Sequence, residues 1–304
     1  MNIQTISIVV PTKGCVNNCP FCCSKMHDCP YENKWDDTQM KKRIQYAVMN
    51  GVNTCIITGT GEAMQNVPFL ENLSSLFWQM DNPFPNVEIQ TTGVFLSIFE
   101  LDEDDHKPIY TYINLLKELG VSTISLSVSD IFQDINNLQI IGVSKKLEFY
   151  LNELIPFLKN NGFNIRLSLN MLKKYDAYTP KEIIGRCKFL GADQITFREM
   201  YSNNDDSSES KWAELNKCSD QKLQDIKTYI QGKIFESEGG RIPGFGTFLY
   251  MLPFGAFVYS IDGMSTVIDD DCMSKESNDS LKYVILRENG KLYCRWDDEG
   301  SLIF

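Results

Sequence analysis

Apolar positions along most of this chain follow two alternating patterns: short runs rich in Ile, Val and Leu, and longer stripes spaced by three and four. The runs lie at 6–10, 54–58, 87–90, 123–128, 164–169 and 194–197. Their composition suits strands of a parallel sheet covered on both faces. Between them, Met40, Ile44, Ala47 and Val48 share one helical face, as do Leu147, Leu151, Leu154 and Leu158, and again Ile183, Cys187 and Leu190. Gly120 and Gly191 fall just beyond helix ends, where a left-handed cap is needed. The six strand–helix repeats predict right-handed crossovers and an α/β sheet with too few strands to close an eight-stranded barrel. The last helix is expected over 221–235, with Leu223, Ile226, Ile230 and Ile234 inward. The polar, acidic stretch 201–217 before it reads as an exposed loop.

After Gly239 and Gly240 the rhythm changes. Asp262-Gly263 and Asn289-Gly290 are hairpin turn pairs set between short apolar runs at 258–261, 284–286 and 292–294. The expected organisation is a core over 1–237 and a C-terminal antiparallel β appendage over 238–304 that covers it.

Composition narrows the class. The chain has 304 residues, 43% hydrophobic and 23% charged, as an ordinary globular protein does. No apolar stretch approaches the roughly 20 residues of a membrane span. No basic segment followed by a long apolar core opens the chain, as a secretory signal would. Ten cysteines without such a signal suggest a reducing compartment, with metal or core roles for the thiols. The cytoplasm is the expected location. A net charge of −11 argues against extended nucleic-acid binding. The short basic clusters Lys41-Lys42-Arg43 and Lys173-Lys174 read as solvated faces.

The chemistry begins at Cys15, Cys19 and Cys22, spaced C-x3-C-x2-C directly after the first strand, with Phe21 before the third cysteine. Three thiolates on one short loop can hold three corners of a [4Fe–4S] cluster and leave the fourth iron open, where an electron-transfer cluster has four cysteines. The alternative is zinc, with His27 or Cys29 completing four ligands. Strand two ends in Gly59, Thr60, Gly61, Glu62 and Ala63, a turn whose glycines let backbone carbonyls approach an ammonium group. Strand three runs into Thr91, Thr92 and Gly93. Strand four places Ser125, Ser127 and Ser129 on one face, and strand five Arg166, Ser168 and Asn170 on one face. Strand six ends in Arg198 and Glu199.

This set resembles the radical S-adenosylmethionine (SAM) superfamily, whose signature is the cysteine triad followed by a Gly-Gly-Glu-Pro-like turn; Thr60 and Ala63 depart from its commonest form. The resemblance implies an open, partial (βα)6 TIM-like barrel. It implies one [4Fe–4S] cluster on Cys15, Cys19 and Cys22, whose open iron is chelated by SAM. It implies further that Phe21, Gly59, Thr60, Gly61 and Glu62, with Ser125, Ser127, Ser168, Asn170 and Arg198, contribute to SAM binding. In such enzymes an electron from a donor such as flavodoxin or ferredoxin cleaves SAM to a 5′-deoxyadenosyl radical that abstracts hydrogen from substrate. The favoured substrate is a small molecule or nucleotide; a peptide or protein is the alternative. No catalytic acid or base is assigned. A zinc-stabilised binding protein is the non-enzymatic reading.

Of the other cysteines, Cys55 and Cys187 fall at core positions, and Cys23 is expected to point away from the cluster. Cys29, Cys218, Cys272 and Cys294 are candidates for an auxiliary cluster, although the tight C-x2-C spacing is missing. His27 and His106 read as solvated. Tyr259, Tyr293 and Trp296 are expected in hairpin packing, with stacking on a substrate ring as the second use.

Overall fold

The computed structural model describes residues 2–26, 32–96, 109–203, 206–235, 240–252, 256–269, 280–296 and 298–304. Strands β1 (Asn2–Val10), β2 (Thr54–Gly59), β3 (Asn86–Thr91), β4 (Val121–Val128), β5 (Asn164–Asn170) and β6 (Gln194–Arg198) contain the six expected runs. Each pairs in parallel with the next. The crossovers carry a single turn α1 (Cys23–Met26), then α2 (Asp37–Met49), α3 (Val67–Gln79), α4 (Ile109–Glu118), α5 (Asp134–Ile141), α6 (Leu151–Asn160) and α7 (Pro180–Leu190). At the end of α7, Gly191 takes φ 92 and caps the helix in the left-handed conformation that its sequence position predicts.

One face of the sheet is apolar. Ile6, Ile8, Ile57, Ile89, Leu126 and Leu167 are fully buried in one core with Ile44, Leu70, Leu73, Leu116, Leu154 and Ile183 from the surrounding helices. Each such side chain contributes about 1.5–3 kcal/mol by leaving water. The opposite face differs from the expectation of strands that are apolar on both sides. Thr5, Ser7, Thr58, Gln90, Ser125, Ser168 and Thr196 look inward and line a cavity. The curved sheet therefore encloses a cavity into which polar side chains project, and the hydrophobic core is an outer layer between strands and helices.

Helices α8 (Ser208–Asn216) and α9 (Asp220–Gln231) follow β6. Leu223, Ile226 and Ile230 are buried as expected. The expected helix through 235 ends four residues early. Gly232 adopts φ 83, ψ −177, which ends α9, and β7 (Gly232–Phe235) turns to pair antiparallel with β8 (Gly240–Pro243). Ile234 thus belongs to a strand.

The remaining strands are β9 (Thr247–Met251), β10 (Phe257–Ile261), β11 (Met264–Asp269), β12 (Ser280–Leu286) and β13 (Leu292–Tyr293). The two predicted hairpins form: β10 with β11 around Asp262-Gly263, and β12 with β13 around Asn289-Gly290. Two of these strands also join the parallel core. β11 pairs in parallel with β6, and β12 pairs in parallel with β1. The full sheet of eleven strands has the order β13-β12-β1-β2-β3-β4-β5-β6-β11-β10-β9. Its terminal strands do not pair with each other, so the barrel stays open. No helix among the described residues is long and apolar enough to cross a membrane.

Candidate functional site

The loop carrying Cys15, Cys19 and Cys22 leaves β1 at the carboxyl end of the sheet, where α/β barrels gather their sites. It is held from three sides. From the β2 side, Val16 N donates to Gln65 Oε1 at 2.6 Å and Asn66 Nδ2 donates to Pro11 O at 2.7 Å. Thr12 meets the Thr60 hydroxyl through its backbone N at 3.4 Å and its own hydroxyl at 3.3 Å. From the β3 side, Asn17 Nδ2 donates to Thr92 Oγ1 at 2.9 Å. From α5, the carbonyl of Ile141 accepts from Asn18 N at 2.9 Å and from the Cys19 thiol at 3.6 Å.

The turn after β2 meshes with this loop. A Cβ on Gly61 would lie 2.5 Å from Thr12 Oγ1 and 2.7 Å from Gly14 O, so the two backbones approach as only glycine permits. Glu62 is buried, and its carboxylate is engaged by the end of β3. Thr91 Oγ1 donates to Oε1 at 2.6 Å, while Thr92 N and Oγ1 donate to Oε2 at 2.9 and 2.8 Å. This geometry makes Glu62 a positioning group that ties the turn to β3. The Thr92 hydroxyl then links Glu62 to Asn17 of the cysteine loop.

Burial pushes the Cys15 thiol above its ordinary range. Burial, reinforced by the neighbouring Cys22 and Cys15, pushes Cys19 up to about 12. A bound cationic group would favour the thiolate forms of Cys15 and Cys19 against this burial. Among the described residues no three His, Cys, Asp or Glu side chains converge on a point suited to one metal ion. A cubane gripped at separate corners asks for a wider spread, and the three-thiol donor set fits it. His27 and Cys29, the candidates for completing a zinc site, lie outside the described residues.

Phe21 packs on Trp212 of α8, with ring centroids 5.6 Å apart. Asn203 Nδ2 donates to Met26 O at 3.2 Å. The stretch 201–217, expected to be an exposed loop, therefore contains a helix docked beside the cysteines. Ser207 caps it by accepting from Ser210 N at 3.2 Å, and Ser210 and Ala213 are buried. The N-cap serine and the apolar pair Trp212-Ala213 were its signals in the sequence, obscured by the acidic residues around them.

At the ends of β4 and β5, Asn170 Nδ2 donates to Ser127 and Ser129, each at 3.2 Å. Asn137 of α5 accepts from Ser129 N at 2.8 Å. Ser125, Ser168 and Arg198 instead line the central cavity, together with Gly59 and Thr60. That cavity has a volume of about 620 Å³ and is walled by inward residues of β1–β6, β11 and β12. Tyr283 of β12 and Trp296, which follows β13, complete it. Tyr293 packs under the Arg287 guanidinium and Tyr259 against Phe248, as hairpin packing predicts. Residues that sequence reasoning missed are Asn17, Gln65, Asn66, Asn137 and Trp212, all of them clamps around the cysteine loop or its supports.

Cys55 and Cys187 are fully buried core residues, as expected. Cys23 is exposed and lines the central cavity, which Cys15, Cys19 and Cys22 do not. Cys218 is buried, its backbone N donates to Met171 O at 2.9 Å, and Asp176, Glu199 and Asp220 are the charges nearest its thiol. Cys294 is half-buried, and its backbone N donates to Ser301 O at 3.1 Å. Cys272, Cys29 and His106 lie outside the described residues.

A family model for the Radical SAM superfamily matches residues 9–189. Among solved structures, the chain is similar to Streptococcus suis SuiB bound to S-adenosylmethionine, with a TM-score of 0.57 and 12% identity, covering 96% of this chain and 60% of that one. SuiB bound to its precursor peptide SuiA gives a TM-score of 0.56 and 14% identity over 96% and 59% of the two chains. Escherichia coli coproporphyrinogen III oxidase, titled a radical SAM enzyme, gives 0.43 and 15% identity over 74% and 50%. The chain thus spans about 60% of the length of the SuiB chain it matches. No curated protein matches the sequence.

Proposed function

The chain belongs to the radical SAM superfamily, and from that premise we propose that it abstracts hydrogen from a small metabolite or nucleotide held in its interior cavity. The observation that carries this reading is the meshing of the cysteine loop with the Gly59–Glu62 turn, whose Gly59 and Thr60 line a cavity of about 620 Å³. A space of that size suits a small ligand.

In this reading Cys15, Cys19 and Cys22 hold one [4Fe–4S] cluster. The chemistry it supplies is the family's one-electron cleavage of SAM to methionine and a 5′-deoxyadenosyl radical, fed by a donor such as flavodoxin or ferredoxin. The chain's own residues bind, orient and exclude water. The carbonyls of the Gly59–Glu62 turn face the SAM ammonium while Glu62 fixes that turn. Ser127 and Asn170 form one polar unit for the ribose or carboxylate, and Arg198 contacts SAM from the cavity wall, while Ser125 and Ser168 lie deeper along β4 and β5. An arginine is suited to the methionine carboxylate because its fork matches two oxygens. Phe21 packs the loop against α8.

The test is reconstitution under anaerobic conditions. The loaded, reduced protein is expected to release 5′-deoxyadenosine from SAM. A colourless protein that holds zinc and leaves SAM intact would overturn the reading.

A second reading, a peptide substrate, is favoured by one observation. β9 is a terminal strand of the sheet with Phe248, Leu249 and Met251 exposed, and its Tyr250 reaches the cavity. An extended peptide can add to such an edge. Protection of β9 amides from exchange by a bound peptide would favour it over the small-molecule reading.

A further inference from the structure

The cavity wall below the proposed SAM contacts carries a charged cluster that nothing so far has used. Glu88 on β3 and Arg166 on β5 reach across the intervening β4, where Ser125 is small, and pair at 2.6 Å through Arg166 Nη1 and Glu88 Oε2. Arg166 Nε donates to Gln194 Oε1 on β6 at 2.8 Å. All of these residues line the cavity. The lattice of bonds is incomplete in a definite way. Glu88 is only 4% exposed, yet its Oε1 has no hydrogen-bond partner among the described residues, and neither does the buried Ser168 Oγ. Arg166 uses Nη1 and Nε in these bonds, and Nη2 is its further donor nitrogen. Since Gln194 must turn its oxygen toward Arg166 Nε, its amide NH₂ is left facing elsewhere.

Buried polar groups in folded proteins are nearly always matched. Leaving one unmatched is costly, so the two on this wall, Glu88 Oε1 and Ser168 Oγ, mark a surface built for a ligand. The wall offers acceptors at Glu88 and Ser168 beside donors at Arg166 and Gln194. Glu88 already neutralises Arg166, so a free anion would leave net buried charge and is disfavoured. An uncharged group with donors and acceptors side by side satisfies the wall without that penalty. Tyr283 and Trp296 on the same cavity supply aromatic surface, which favours a flat partner.

The geometry points to Glu88, Arg166 and Gln194 as the substrate-recognition edge, reading the polar edge of a small planar nitrogen heterocycle such as a nucleobase. This inference rests on the proposed radical SAM activity and names the substrate class for the same cavity.

The experiment uses cluster-loaded protein with SAM present. Binding of guanosine, uridine, L-alanine and succinate is measured by calorimetry and by thermal shift. A nucleoside is expected to bind in preference to the other two. The pair Glu88→Gln with Arg166→Gln removes both charges without leaving one unpaired, and is expected to weaken nucleoside binding by about ten- to a hundred-fold, as loss of hydrogen bonds to charged groups does. SAM affinity and iron content of this variant should match the parent. Preferential binding of succinate or alanine, binding of none of the four probes, or nucleoside binding unchanged in the double variant would each overturn the inference. A parent protein that fails to take up iron or SAM indicts the radical SAM reading itself, which the iron and SAM measurements report separately.

Discussion

The rim of the cavity and its wall are built on opposite principles. At the rim, Thr12, Asn17, Glu62, Gln65, Asn66, Thr91 and Thr92 bond to one another or to the cysteine loop, and the one buried atom left over is Asn17 Oδ1. Deeper along β3 and β5, the wall leaves Glu88 Oε1 and Ser168 Oγ unmatched. A saturated network fixes geometry, and a superfamily's shared chemistry needs fixed geometry. An unsaturated one waits for a ligand, and ligands are what differ between family members. On the proposed reading, class is written in the rim and substrate in the wall.

The comparison breaks first at the cysteines. Cys19→Ala should abolish the cluster and with it 5′-deoxyadenosine formation; a variant retaining full iron by colorimetric assay would remove Cys19 from the ligand set. Next is the rim's closest contact. Gly61→Ala pushes a methyl into Thr12 and Gly14, and overpacking of this kind costs about 1–3 kcal/mol. Denaturant unfolding should register that loss, and iron per chain should fall. Glu62→Ala strands the donors of Thr91 and Thr92, which costs about 1–3 kcal/mol if they stay buried. SAM affinity should drop as the turn loosens, and isothermal titration of the loaded protein measures it. Trp212→Ala removes an aromatic contact worth about 0.5–1.5 kcal/mol and should speed cluster loss in a chelator challenge without changing SAM affinity at full loading. The smallest effect is reserved for Cys218→Ser with Cys294→Ala, where iron should remain at about four per chain. A fall from about eight would instead reveal a second cluster.

How much of this was readable in advance follows from which interactions are local. The six core strands announce themselves because runs such as Ile6–Val10 need outward apolar residues whatever lies inside. The hairpins at Asp262-Gly263 and Asn289-Gly290 are dictated by two-residue turn chemistry. The C-x3-C-x2-C loop and the Gly-x-Gly-Glu turn are likewise contiguous. What stayed hidden depends on partners far apart in sequence. Gln65 serves Val16, Asn137 serves Ser129, and Glu62 turned out to face Thr91 and Thr92. Helix α8 was masked because its acidic face outnumbers Trp212 and Ala213, the residues that dock it. The parallel pairing of β11 and β12 with opposite edges of the core has no local signal at all.

That last pairing sets an order of events during synthesis. β1 leaves the ribosome well ahead of the partner on its outer side, β12, which begins at Ser280. Until β12 follows, the nascent chain displays a bare strand edge at Asn2–Val10, directly ahead of the cysteine loop. Exposed edges of this kind recruit neighbours and aggregate. A chaperone retained until β12 has emerged would protect that edge until β1 is flanked by β2 on one side and β12 on the other.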